Sequence, residues 1–119
     1  MAAAEAVRAG RTSSGAKRGK DLWYELRLLS DAWRGPLEST AEEAHRLTEL
    51  LGDHHDLALL RADLHERRLG EEETRVLEAA IDARQERLAT DAFELGRRLY
   101  AEKPKAFNRR LRCYWKAWQ

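Results

Sequence analysis

Apolar positions recur every three or four residues along most of this chain, the period of an amphipathic helix. Leu22, Leu26, Leu29 and Trp33 form the first such stripe and predict a helix over about 17–34. Gly35-Pro36 ends it and starts the next, because proline suits a first helical turn. Leu47, Leu50, Leu51, His54, Ala58, Arg61 and His65 form the second stripe. Gly52 falls inside that run without breaking its phase. One helix is therefore expected from near Pro36 or Thr40 to about Arg68, with Gly52 as the place for a kink and Leu69-Gly70 as its C-terminal cap. Glu71-Glu72-Glu73 opens the third helix, with acids at the positive end of the helix dipole. Its stripe runs through Leu77, Ile81, Arg84, Leu88, Ala92, Leu95 and Leu99, to about Glu102. Pro104 opens the last helix, whose apolar face is Phe107, Leu111, Tyr114, Trp115 and Trp118. Residues 1–16, rich in Ala, Gly and Ser, read as a flexible leader to a domain spanning 17–119. Four amphipathic helices with short links imply an all-α, antiparallel four-helix bundle.

Composition agrees with that fold and narrows the function. The chain has 119 residues, 43% apolar and 36% charged, and only two prolines. Leu, Ala, Glu and Arg dominate, which favours helix over strand. No apolar run approaches the roughly 18 residues a membrane span requires, so no membrane partner is expected. A single cysteine, Cys113, excludes an internal disulfide and suits a reducing cytoplasm. The net charge of +1 hides a strong asymmetry. Residues 35–78 carry twelve Asp/Glu against five Lys/Arg, and residues 97–119 carry eight Lys/Arg against one acid. Residues 1–34 are also basic. An antiparallel bundle can bring the two basic ends side by side.

The first helix divides into two faces. Opposite its leucine stripe, Lys17, Lys20, Tyr24 and Arg27 recur at three, four and three. Such a column offers three cations and a phenol that can donate a hydrogen bond to an anion. On this helix alone, a solvated basic face with a half-buried Tyr is the simpler reading. His54-His55-Asp56 suggests metal phosphohydrolase chemistry, but that needs further His and Asp ligands. His45 and His65 exist, yet no histidine follows His65. His54 lies on the apolar stripe and reads first as a core histidine. No P-loop, paired-carboxylate site or nucleophile triad is present, and no catalytic residue, metal or cofactor is expected. Arg84 interrupts its stripe and reads as a snorkelling or ion-paired side chain.

Three stretches together resemble a known family. They are Lys17-Arg18-Gly19-Lys20-Asp21-Leu22-Trp23-Tyr24, Leu50-Leu51-Gly52-Asp53-His54-His55-Asp56-Leu57, and Gly96-Arg97-Arg98-Leu99-Tyr100 through Arg109-Arg110-Leu111. They are similar to the C-terminal half of a CHAD domain, the histidine-containing α-helical domain. The resemblance implies one half of a two-bundle fold and binding of inorganic polyphosphate, without catalysis and sometimes on polyphosphate granules. Carried over by position, it marks Lys17, Lys20, Tyr24 and Arg27 on the first helix. It marks His54 or His55 in the Leu-Gly stretch, and Arg109 and Arg110 on the last helix. Ser13 and Ala16 stand where the family usually has a histidine and an arginine.

Three functions follow from these readings. The first is a polyphosphate-binding half-module that needs no sequence-specific nucleic acid. The second is a helical interaction module whose apolar surface pairs with another chain and takes no anion. The third is a metal phosphohydrolase remnant built on His55-Asp56. Trp23, Trp33, Trp115 and Trp118 supply more aromatic surface than one small bundle hides, so a homodimer is expected.

Overall fold

The computed structural model describes residues 12–119, with side chains from Lys17 onward. Among the described residues it contains four helices in antiparallel packing and no strand. They are α1 (Thr12–Leu29), α2 (Arg34–Glu66), α3 (Glu71–Leu99) and α4 (Pro104–Trp118). Most of the leader expected over 1–16 lies outside the described residues, and Thr12 to Ala16 are already helical.

The links show how local chemistry sets the boundaries. α1 stops at Leu29, short of the expected 34, and gives way to a single 3-10 turn, Ser30–Ala32. Trp33 is extended, with φ −160° and ψ 90°, and its carbonyl accepts the Leu37 N–H at 3.2 Å. Pro36 thus sits in the first turn of α2, where its missing N–H costs nothing. Arg34 bridges Asp31 across the turn at 3.2 Å. α2 then runs unbroken through Gly52. Gly70 is not the C-cap of α2, as the sequence suggested. α2 ends at Glu66, and Gly70, with φ −64° and ψ 154°, is the N-cap of α3. Its carbonyl accepts the Thr74 N–H at 3.0 Å. Pro104 is the first residue of α4, as expected.

The molecule is a rod, 64 × 24 × 19 Å, with two unlike ends. At the head, Leu26 of α1, Leu37, Ala41 and Ala44 of α2, and Leu111 of α4 form one buried cluster. A second cluster joins Leu47 and Leu51 of α2 to Ala89, Ala92 and Leu95 of α3. Leu99 packs against both. The alanines let the helix axes approach, and so does Gly19. A Cβ there would meet Thr48 Oγ1 at 3.2 Å.

The tail is a two-helix hairpin, from about residue 53 of α2 to residue 87 of α3. Its centre is polar. Gln85 donates through Nε2 to the His54 carbonyl at 3.2 Å. Arg61 donates to Gln85 Oε1 at 2.9 Å and is also bonded to Asp82. Gln85, not Arg84, is the polar residue inside α3; Arg84 is exposed.

Candidate functional site

The α1 column survives folding as an open face. Leu22, Leu26 and Leu29 turn into the head cluster. Lys17, Lys20, Tyr24 and Arg27 are exposed on the other side. Trp23 lies on the flank between these faces. Its ring stacks on His45 of α2 at 4.7 Å and on Tyr24 at 4.8 Å. The Arg27 guanidinium covers the same indole at 5.1 Å, a cation–π contact that holds the charge above a rigid platform. His45 is in turn fixed by Glu49 at 2.9 Å. Among the described residues, Lys17, Lys20 and Arg27 have no carboxylate within ion-pair distance. The tail differs here, since Arg61, Arg67 and Arg75 each meet an acid.

The basic ends of the chain do come together, but not through this column. α1 and α4 flank one cleft, lined by Arg18, Asp21, Glu25, Tyr100, Phe107 and Asn108. The α1 edge facing α4 therefore carries Asp21 and Glu25. Arg18 lies over the Tyr100 ring at 5.8 Å. Burial pushes the Tyr100 phenol above its ordinary value; Arg18 opposes that, while Asp21 and Glu25 reinforce it.

Arg110 faces a different cleft, of about 730 Å³, between α2, α3 and α4. It donates to Tyr114 Oη at 3.2 Å and to Glu102 Oε1 at 3.1 and 3.2 Å. The hydrogen bond to Tyr114 raises its already high pKa, burial opposes this, and Glu102 adds to it. Arg110 is thus a partly engaged cation. Arg46 and Arg98 line the same cleft and have no ion-pair partner among the described residues. Sequence reasoning did not select these two. The signal available was their placement, one on α2 and one on α3, at levels where an antiparallel pair meets. Arg109 is exposed on α4 and also lacks an acid.

The two histidines part company. His54 is buried at 7% exposure, with Gln85 against its backbone. His55, next in sequence, is exposed. The eight residues marked from the sequence therefore form one coherent group, the α1 column, and several separate positions. No cluster of three or more metal-ligating side chains occurs among the described residues. No described helix is long and apolar enough to cross a membrane.

Comparison with protein families bears on the same helices. Residues 13–65 match the CHAD domain. The CHAD match spans nearly all of α1 and α2, including the basic column, the Trp23–His45 stack and the His54-His55 pair, and amounts to just under half of the chain. Comparison with curated proteins and with solved structures yields no match.

Proposed function

We propose that this chain binds inorganic polyphosphate without catalysis, through the outer face of α1. One observation carries the reading. Lys17, Lys20 and Arg27 stand exposed in a column with Tyr24, and no acid of the described chain neutralises them. A polyphosphate bears about one charge per phosphate, so Lys17 and Lys20, about one turn apart, and Arg27, about two turns further on, can each meet a phosphate along one chain. Point charges suffice, because no base sequence has to be read. Arg27 is preorganised on Trp23. The CHAD match covers this helix, and the polyphosphate association that the CHAD resemblance implies agrees with its chemistry. Arg46 and Arg98 line a cleft that also carries Glu43, Asp91, Glu94 and Glu102, Arg109 is exposed on α4, and His55 lies toward the tail.

The test is a binding isotherm for polyphosphate at several salt concentrations, beside double-stranded DNA under the same conditions. With three column cations engaged, log K should fall against log salt with a slope of about −2, taking single-stranded nucleic acid as the guide. Polyphosphate should bind more tightly than DNA. A slope near zero, or equal retention on DNA, overturns the proposal.

The interaction-module reading, which takes no anion, is favoured by a different observation, the exposed apolar surface of the tail.

A further inference from the structure

The two ends of the rod are complementary to each other. Between α2 and α3, near the hairpin turn, lies an apolar groove of about 550 Å³. Leu57, Leu60, Leu64, Leu69, Leu77 and Ile81 line it. Leu60 and Leu77 remain 45% and 42% exposed, since among the described residues no third helix covers the tail. The one charged residue on the groove's lining is Arg67, which is paired with Asp63, and the surface around the groove is acidic. Residues 63–78 carry six carboxylates against three arginines. Glu66, Glu71 and Glu73 have no cation within ion-pair distance among the described residues.

At the opposite end, α4 runs past the core it helps to close. Leu111 is buried, and Tyr114 meets Trp33 edge-on at 4.9 Å beside the α1–α2 turn. Beside and beyond Tyr114, Trp115 and Trp118 pack on each other at 5.1 Å and stay 39% and 53% exposed. They continue the apolar face of α4 beyond the bundle. Around them α4 is wholly cationic, with Lys105, Arg109, Arg110, Arg112 and Lys116 and no acid.

From this pairing of an acidic apolar groove with a basic aromatic knob, we infer that two copies of the chain associate side by side and antiparallel. The Trp115–Trp118 pair of each copy fills the Leu57–Ile81 groove of the other. Arg112 and Lys116 then lie over the Glu71–Glu73 rim. A two-fold axis makes both contacts at once and leaves neither groove open, so assembly stops at the dimer. Aromatic anchors in a desolvated pocket, ringed by complementary charge, are the usual carriers of association energy. A second copy is the occupant because the chain itself supplies both halves of the match.

Sedimentation equilibrium on the full chain at high micromolar concentration tests this. The expected mass is twice 13.8 kDa. Leu60→Asp with Leu77→Asp should raise the dissociation constant about a hundredfold or more, because each leaves an unpaired charge in a buried contact. Both positions are about half-exposed in one copy, so helicity should hold, while the thermal midpoint should fall only by the stabilisation that the dimer contact supplies. Trp115→Ala with Trp118→Ala should act alike. Glu71→Lys with Glu73→Lys should weaken the dimer, and adding Arg112→Glu with Lys116→Glu should restore it. A monomeric mass, growth beyond the dimer, a dimer indifferent to the leucine variants, or failure of the charge swap to rescue would each overturn the inference. None of these results depends on polyphosphate, so they leave the anion-binding test independent.

Discussion

The head and the tail use the same two long helices for opposite ends. In the head, α2 and α3 are joined by α1 and α4, and leucines such as Leu26 and Leu37 vanish from solvent. Charge there is left over, with Lys17, Lys20 and Arg27 unneutralised among the described residues. Among the described residues, the same helices stand alone in the tail. Polar groups hold the centre, Arg61, Arg67 and Arg75 are matched to acids, and leucines are left over. The two ends thus differ in which groups they leave exposed. The two proposals take their partners from these exposed groups: an anion for the α1 face, an apolar surface for the hairpin.

The largest effect should come from the head core. Leu26→Ala, at a fully buried site, should lower stability by about 2–5 kcal/mol in chemical denaturation. Leu59→Ala, at an exposed tail site away from the groove, should stay within about 0.5 kcal/mol. Equal losses would erase the distinction between the two ends.

Gln85→Ala should cost less, about 1–2 kcal/mol, as bonds to the His54 carbonyl and Arg61 are lost. Hydrogen exchange should quicken across the tail hairpin and stay unchanged around Leu37 to Leu47. Uniform acceleration would mean that head and tail open as one unit.

A pair of glycines sharpens the contrast further. Gly52 has nothing within 4 Å of an added Cβ, so Gly52→Ala should stabilise by up to about 1 kcal/mol through helix propensity alone. Gly19→Ala adds the same propensity but presses on Thr48, which is tied to the Ala44 carbonyl at 3.2 Å. Its gain should be smaller or absent. Thermal melts of the two variants decide.

Alkaline pH should act on the head. The folded chain holds the Tyr100 proton more tightly than the unfolded chain does. That contribution is complete below the ordinary tyrosine value of about 10 and is lost as pH rises through the raised folded value. Tyr100→Phe should flatten the alkaline fall in stability. The smallest stability changes belong to Lys20→Ala and Arg27→Ala, within about 0.5 kcal/mol, although each should weaken polyphosphate binding. Unfolding by Lys20→Ala would show that the α1 faces are reversed.

Helix number and order were legible because a 3.6-residue period is a local property. Pro36 and Pro104 fall inside first turns, as their chemistry requires. The division of α1 into leucine and lysine faces was equally legible. Gly70 was misread because glycine is common at helix C-termini, and only the backbone angles show that it starts α3. Gln85 was missed because Arg84 fits the same stripe at one residue's remove. The partner that decides between them, the His54 carbonyl, lies on another helix. The basic ends of the chain lie side by side as expected, but the α1 edge on the cleft shared with α4 carries Asp21 and Glu25 beside Arg18. Spacing within one helix fixes which residues share a face but not which neighbour that face meets.

The elongated outline has a hydrodynamic consequence. A compact chain of this length has a radius of gyration of about 13.5 Å, whereas this one has 18.1 Å. A single copy should therefore diffuse and tumble slowly for its mass and elute early from a sizing column, imitating a larger globule. Elution volume is a poor guide to its state of association. Small-angle scattering separates the cases by geometry: an antiparallel pair laid flank to flank keeps a maximum dimension close to the 64 Å of one rod while doubling its cross-section. Two rods joined end to end would scatter as an object of nearly twice that length.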